Sequence, residues 1–147
     1  GLFARKLEIF PGIPALLHEL KADRVPMMVT TNTERNVADA AISALGWQYF
    51  VDTICGDEVP AGKPAPDMYR EAARRIGAKP ADCLVFEDSA NGMRAAVDAG
   101  CVVIGLPEDD EVEVPPEVTE VSQLRNSRHL AGARASEVYE WFSKISE

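Results

Sequence analysis

The stretch that decides the fold is CLVFEDSANGMRAAVDAGCVVIG, residues 83–105. Its first four residues are apolar, and the acids Glu87 and Asp88 follow them abruptly. Apolar residues then recur at helical spacing as far as Gly100, and a second apolar run covers 101–104. Two short runs that are apolar on both faces, joined by a helix of about three turns, predict a βαβ unit of a parallel sheet.

The same alternation extends outward from this unit in both directions. Helical spacing predicts three helices upstream and one amphipathic helix near the carboxyl end, and an acidic, proline-rich loop is expected over 107–116. The predicted strands cover 27–30, 51–54, 83–86 and 101–104. We therefore expect a three-layer α/β fold with a parallel sheet, formed as a single domain by residues 1–147.

Composition restricts the function. Fifteen basic and 24 acidic residues give a net charge of −9, which disfavours binding to nucleic acid or anionic lipid. No apolar run approaches the ~20 residues that span a bilayer. Three cysteines, far apart and odd in number, favour reduced thiols in a cytoplasmic protein. Two histidines are too few for a multi-histidine zinc site.

Polar side chains follow three of the predicted strands, at the sheet edge where open parallel sheets bind their ligands. They are Thr31 and Asn32 after the first strand, Lys63 in the loop after the second, and Glu87, Asp88 and Ser89 after the third. Hydroxyl, ammonium and paired carboxylate groups suit a phosphate group held together with a hard divalent cation.

Each of these residues also has a purely structural interpretation. Thr31 could cap the helix that follows it, and Asp88 or Ser89 could cap the next one. Lys63 could be a solvated surface lysine. If Lys63 instead acts in catalysis, Lys63→Ala is expected to reduce turnover more than folding, because a polar loop residue contributes little packing. Glu87 is harder to explain in this way, because burying an unpaired carboxylate after four apolar residues is costly.

Together, four stretches resemble the haloacid dehalogenase (HAD) superfamily, and within it the β-phosphoglucomutase-like phosphatases. The stretches are Pro11-Gly12, VPMMVTTNTER (25–35), GDEVPAGKPAPDMY (56–69) and CLVFEDSANGMRAAVDAGCVVIG (83–105). The resemblance covers about residues 9–106. It implies a HAD-like, Rossmann-like core and a Mg²⁺-dependent phosphatase or phosphosugar mutase that acts on a small phosphorylated metabolite through an aspartyl-phosphate.

The resemblance implies that Thr31 binds phosphate and takes part in catalysis. Asn32 and Ser89 would bind the phosphate or substrate beside it. Thr30 is the rival for the role of Thr31, because one residue of register decides between the two hydroxyls. The family's lysine, which stabilises charge on the phosphoryl group, corresponds to Lys63.

For the metal, the resemblance implies that Glu87 and Asp88 position Mg²⁺, with Asp88 as the direct ligand. Pro64 follows the family's lysine position, which raises the question of a cis peptide bond there.

The sequence departs from the family at its beginning. The family's first motif is an aspartate pair whose first member is the nucleophile, and nothing in residues 1–24 resembles it. The helical cap domain of the family is absent as well. The chain thus resembles the carboxyl-terminal part of such an enzyme, which we expect to be inactive by itself. The alternative is a non-catalytic module that binds phosphate or protein and descends from such an enzyme.

In the family, the nucleophile strand lies between the strand that ends at Thr31 and the strand that ends at Glu87. The predicted sheet is therefore partial, with its central strand missing. Two apolar strands would each lose a neighbour, and unpaired strand edges invite association. We expect the gap to be filled by an N-terminal segment from elsewhere, closed by direct pairing of the two strands, or covered in a homodimer.

Overall fold

The structure is a computed structural model that describes residues 13–146, in which strands and helices alternate. The helices are α1 (Ile13–Ala22), α2 (Arg35–Leu45), α3 (Asp67–Ile76), α4 (Ala90–Ala99) and α5 (Ala135–Ile145). The strands are β1 (Met28–Thr31), β2 (Asp52–Cys55), β3 (Leu84–Glu87), β4 (Val102–Gly105) and β5 (Thr119–Glu120). The expected α/β class is confirmed. The Pro11-Gly12 stretch lies outside the described residues.

Each of the four predicted strands begins and ends one residue later than expected. The pairing explains the shift, because Thr31 is in register with Cys55 and Glu87 with Gly105. The sheet thus includes the residue that follows each apolar run, whereas the sequence pattern marks only the buried side chains. Strand β5 was not expected, since a pair of half-buried residues leaves no apolar pattern.

The strands form two parallel sheets rather than one. β1 pairs with β2, while β3, β4 and β5 form the second sheet in that order. Within residues 13–146, β1 and β3 do not pair, so direct closure of the gap is wrong. Instead, Met28 and Thr30 of β1 and Leu84 and Phe86 of β3 line an apolar cavity of about 420 Å³. We call this cavity the slot.

One hydrophobic core joins the two sheets in spite of the slot. Leu17 of α1, Ile42 of α2 and Trp141 of α5 belong to this core. It also includes Val29 of β1 and Ile104 of β4, which lie in different sheets. Burial of apolar area on this side therefore holds the sheets in a fixed relation without hydrogen bonds between β1 and β3.

A second core covers the opposite face and completes the three layers. Met93 of α4 packs there with Val85 of β3 and Val103 of β4. Helix α4 ends at Gly100, whose φ of 92° is a left-handed conformation that glycine adopts at little cost. None of the helices in the described part of the chain has the length and hydropathy needed to cross a membrane.

Arg35, the first residue of α2, ties this helix to the first sheet. Its Nε donates to Glu58 Oε2 at 2.9 Å, and its Nη2 donates to Glu58 Oε1 at 2.8 Å. The same guanidinium donates to the hydroxyl of Thr53 at 2.7 Å and to its carbonyl at 3.0 Å. The hydrogen bonds from Arg35 hold the pKa of Glu58 below its usual value, although partial burial acts in the opposite direction.

We expect the substitution Glu58→Gln to make folding stability less dependent on pH. The pKa of Glu58 is lowered on folding, so its contribution is present above pH 4.5 and is lost as pH falls through the folded pKa. The variant should lose about 1 kcal/mol of unfolding free energy at pH 7, because the pair is partly exposed. Urea denaturation between pH 7 and pH 3 measures this difference.

The matched control for this experiment is Glu140→Gln, which changes an exposed glutamate of α5. It should leave both the stability and its pH dependence close to those of the wild type. A loss in Glu58→Gln that stays constant down to pH 3 would contradict the role given to the Arg35–Glu58 pair.

Candidate functional site

A second cavity, also of about 420 Å³, opens at the carboxyl ends of β1 and β3. We call it the polar cavity. The residues that the sequence analysis assigned to phosphate binding all line it, although they come from three separate segments. Its lining residues are Thr31, Asn32, Thr33, Lys63, Ser89, Ala90 and Asn91. The structure thus brings hydroxyl, amide and ammonium groups together around one space large enough for a small anion.

The structure separates the two rival hydroxyls at the end of β1. Thr31 lines the polar cavity, and its Oγ1 accepts a hydrogen bond from the Thr33 amide at 3.1 Å. Thr30 lines the slot instead. Capping does not explain Thr31, because Glu34 holds the N-cap position of α2. Of the two, Thr31 is the hydroxyl that can reach a ligand in the polar cavity.

The side chain of Asn32 forms two hydrogen bonds with the backbone of Lys63. Its Oδ1 accepts from the Lys63 amide at 2.8 Å, and its Nδ2 donates to the Lys63 carbonyl at 3.0 Å. A Cβ added to Gly56 would overlap the Asn32 carbonyl, and one at Gly62 would lie 2.7 Å from Asn32 Oδ1. The Lys63–Pro64 peptide bond is cis. Asn32 therefore positions the lysine loop, a role that the sequence analysis missed, while its contact with phosphate stays a prediction.

Lys63 is not a solvated loop lysine, because only 8 % of its surface is exposed. Its ammonium forms an ion pair with Glu87 and donates to the Thr30 carbonyl at 3.2 Å. Its Nζ also lies 5.0 Å from the centroid of the Tyr69 ring. The burial overturns the interpretation as a solvated lysine, and we now expect Lys63 to contribute to stability, since removal of a buried charge leaves its partner uncompensated.

Glu87 is the other half of this buried pair, with 1 % of its surface exposed. Burial acts to raise its pKa, but the charge of Lys63 and the hydrogen bonds from Lys63 and Tyr69 outweigh burial and lower it. A Cβ on Gly92 would overlap the Glu87 carboxylate, so only glycine fits at that position of α4. These contacts explain how a carboxylate is buried after four apolar residues.

Tyr69 is the residue of this network that the sequence analysis missed. It lies in the first turn of α3, and its phenol hydroxyl donates to the same Glu87 oxygen that pairs with Lys63. Burial, followed by the charge of Glu87, raises the pKa of Tyr69 well above its usual value. The spacing from Lys63 to Tyr69 was visible in the sequence, but nothing there shows that the phenol reaches Glu87.

Ser89 is the N-cap of α4, where its Oγ accepts a hydrogen bond from the Gly92 amide at 3.0 Å. The capping interpretation of Ser89 is therefore correct. It is compatible with a ligand, because a hydroxyl that accepts a hydrogen bond still carries a proton to donate. The first turn of this ten-residue helix borders the polar cavity, and the amino end of a helix favours anions.

The two acids at the end of β3 have the chemistry that Mg²⁺ requires. Glu87 Oε2 is buried and has no hydrogen-bond partner among the described residues, and Asp88 is also buried. No group of three or more acidic, histidine or cysteine side chains in residues 13–146 could hold a metal. Mg²⁺ commonly takes one or two carboxylates and completes its shell with phosphate oxygens and water. The residues present fit such a cation.

We expect a double-mutant cycle on the buried ion pair to show strong coupling. Lys63→Met should lower the free energy of unfolding by about 3–5 kcal/mol, because it leaves Glu87 buried without its cation. Glu87→Gln should be destabilising as well, and the double variant should lose less than the sum of the two single losses. Guanidinium denaturation measures all three variants.

Lys144→Met is the control, since Lys144 is an exposed lysine of α5. Its unfolding free energy should stay near that of the wild type. Additive losses in the cycle, or a Lys63→Met variant as stable as the control, would show that the pair does not stabilise the fold.

The sequence was compared with known proteins. A family model described as haloacid dehalogenase-like hydrolase matches residues 1–100. The bifunctional riboflavin kinase/FMN phosphatase of Arabidopsis thaliana is 42 % identical over 104 residues, covering 69 % of this chain and 27 % of that protein. The validoxylamine A 7'-phosphate phosphatase of Streptomyces hygroscopicus subsp. limoneus is 37 % identical over 103 residues, covering 69 % of this chain and 48 % of that protein.

The fold was compared with solved structures. CbbY from Rhodobacter sphaeroides, crystallised in complex with phosphate, superposes with a TM-score of 0.73 at 29 % identity, covering 88 % of this chain and 58 % of that chain. This chain therefore spans about half the length of several of the proteins that it matches. On the family model, the two phosphatases and the shared fold, the chain belongs to the haloacid dehalogenase-like hydrolases.

Proposed function

We propose that this chain is the phosphate- and metal-binding part of a Mg²⁺-dependent phosphoryl-transfer hydrolase, a phosphatase or phosphosugar mutase. The observation that carries the proposal is the Lys63 ammonium, which Glu87 holds beside the polar cavity. Relatives named as phosphatases support a small phosphorylated metabolite as the substrate. Free thiols at all three cysteines support a reducing compartment, the cytoplasm. We take residues 1–147 as one core domain.

In this proposal, the polar cavity binds the phosphoryl group through neutral and positive donors. The hydroxyls of Thr31 and Ser89 and the amides at the amino end of α4 would donate to its oxygens. Lys63 would bring the positive charge that stabilises the oxygens as their charge increases during transfer. Because Asn32 fixes the backbone of Lys63, this charge would stand in place before the substrate arrives.

For the cation, we propose that Asp88 holds Mg²⁺, with Glu87 beside it. When bound, the cation would neutralise phosphoryl charge and orient the reacting group. One oxygen of Glu87 is already occupied by Lys63 and Tyr69, so Glu87 could offer the cation only its second oxygen, Oε2. Glu87 would chiefly anchor the lysine.

The nucleophile would come from outside residues 1–147, whose first aspartate, Asp23, lies just after α1. We propose that a strand with an aspartate at its carboxyl end fills the slot, where it would emerge near Thr31 and Lys63. Its carboxylate oxygen would attack phosphorus, the bond to the substrate oxygen would break, and that oxygen would take up a proton. Water would then hydrolyse the acyl phosphate, releasing phosphate and restoring the carboxylate.

The slot supports this occupant by its shape and chemistry. It lies between one edge of β1 and one edge of β3, which do not pair with each other in residues 13–146. Val85, Phe86 and Met28 are among its apolar lining residues, as expected around a strand buried on both faces. A homodimer that covers the same edges is the competing arrangement.

We expect hydrogen exchange to distinguish these arrangements. In the 147-residue chain, amides of β1 and β3 that do not bond to β2 or β4 should exchange faster than amides of β4. In a version extended upstream in its reading frame, the same amides should become protected. Mass spectrometry of peptides covering β1 and β3 measures the exchange, with size-exclusion chromatography of both versions.

A monomer of the 147-residue chain whose β1 and β3 amides are already fully protected would contradict an open slot. A dimer with those amides protected would favour a second copy as the occupant. Peptides of β4 serve as the internal control, because this strand is paired on both sides.

The activity test uses a generic aryl phosphate with Mg²⁺ on both versions. We expect turnover from the extended version only, because the proposal places the nucleophile on a segment outside residues 1–147. In the extended version, Asp88→Asn should weaken Mg²⁺ activation on the order of tenfold or more, because it removes a carboxylate ligand. Asp98→Asn, at an exposed aspartate of α4, is the matched control and should change neither the turnover nor its activation by Mg²⁺.

Unchanged Mg²⁺ activation in Asp88→Asn would remove Asp88 from this role. Binding of inorganic phosphate by both versions with turnover by neither would instead support the non-catalytic phosphate-binding module.

A further inference from the structure

Tyr69 makes three polar contacts in a place where an apolar ring would suffice for packing. Its hydroxyl donates to Glu87 Oε1, and the side chain of Thr30 hydrogen-bonds to the same phenol oxygen. Its ring faces the Lys63 ammonium at 5.0 Å. With 6 % of its surface exposed, Tyr69 is buried between the end of β1 and the end of β3.

The geometry points to Tyr69 as a positioning residue that sets where the Lys63 ammonium stands. This inference rests on the proposed function, in which that ammonium binds a phosphoryl oxygen. Tyr69 would act through two separate parts of its side chain. The hydroxyl fixes the carboxylate of Glu87, and the face of the ring attracts the ammonium.

The role of the hydroxyl follows from the donors that Lys63 has. An ammonium carries three donor hydrogens, and among the described residues two of them go to Glu87 and to the Thr30 carbonyl. The third is available to a ligand. Because Tyr69 also donates to Glu87 Oε1, that oxygen is shared, and the ammonium is not its single donor. Without the phenol, Glu87 would compete more strongly with a phosphate for the ammonium.

The role of the ring follows from its electrostatics. The face of an aromatic ring attracts a cation, and this attraction is stronger where water is excluded. Lys63 is buried, so the attraction of the Tyr69 ring helps to hold the ammonium in place. A phenylalanine would keep this contact and lose the hydroxyl, whereas a leucine would lose both.

This difference separates a positioning role from a purely structural one. Tyr69 also packs in the core with Val85 and Met93, and Tyr69→Phe preserves that apolar volume. If Tyr69 only filled space, Tyr69→Phe would leave the ammonium of Lys63 and its ligand unaffected. If the hydroxyl positions Lys63, the same substitution changes the exchange of the ammonium hydrogens with water and the affinity for phosphate.

The experiment uses the 147-residue chain labelled with ¹⁵N and observes the lysine ammonium groups by NMR. Lys63→Arg assigns the Lys63 signal by its loss while keeping a positive charge. We expect the wild-type signal to be displaced by the ring and protected from exchange with water. Tyr69→Phe should keep the displacement but change the exchange rate of the ammonium, because Glu87 then binds it more strongly, and Tyr69→Leu should also lose the displacement. Titration with inorganic phosphate should show affinity about threefold to tenfold weaker in Tyr69→Phe.

The matched control is Tyr139→Phe, because the Tyr139 hydroxyl also donates to a carboxylate, that of Asp23, at 2.7 Å but at an exposed position. It should change neither the ammonium signal nor phosphate affinity. An ammonium signal in Tyr69→Phe identical to that of the wild type overturns the inference. So does a wild-type ammonium that exchanges too fast to be seen, because a held ammonium is protected.

The two proposals fail in different ways. If the wild-type chain does not bind phosphate, the proposed function loses its support, while the ammonium spectra still decide whether Tyr69 positions Lys63. If phosphate binds equally well to the wild type and to Tyr69→Phe, the proposed function stands and the role of Tyr69 in ligand binding is refuted.

Discussion

The ion pair between Lys63 and Glu87 is the interaction on which the rest of the site depends. Two charges removed from water need additional hydrogen bonds besides their mutual attraction. Here the Thr30 carbonyl serves the ammonium, and the Tyr69 phenol serves the carboxylate. The four residues come from β1, β3, α3 and the loop before α3. One electrostatic requirement therefore fixes four separate segments at the edge of the polar cavity.

The two sheets give this network its place. A shared apolar core holds them in position on one face, while the slot keeps β1 and β3 apart. At the carboxyl ends of these strands, Thr30 and Glu87 are linked through Lys63 and Tyr69 instead of through a backbone ladder. Polar side chains thus connect the sheets at the end where the ligand groups lie. Placement of the site is a consequence of parallel topology.

Much of the fold and of the candidate site was predictable from local patterns. Apolar runs followed by Thr31 and by Glu87 identified both the strands and the edge at which polar groups collect. The burial of Lys63 was not predictable, because it depends on an acid 24 positions away in the chain. Likewise, the hydrogen bonds between Asn32 and Lys63 join residues 31 positions apart and were not predictable. Such pairings arise from tertiary packing, for which a single sequence carries no periodic signal.

The hydrogen bonds from Asn32 to the backbone of Lys63 have a consequence for how the residues of this site can be substituted in evolution or by design. The two hydrogen bonds from Asn32 to residue 63 involve main-chain atoms of that residue. They fix the backbone of the loop, whereas the charge comes from the side chain at position 63. Another side chain could in principle be displayed from the same backbone trajectory, provided that the acid opposite it changed in step. Different atoms therefore determine the loop backbone and the charge at position 63, so that a substitution can change one without changing the other.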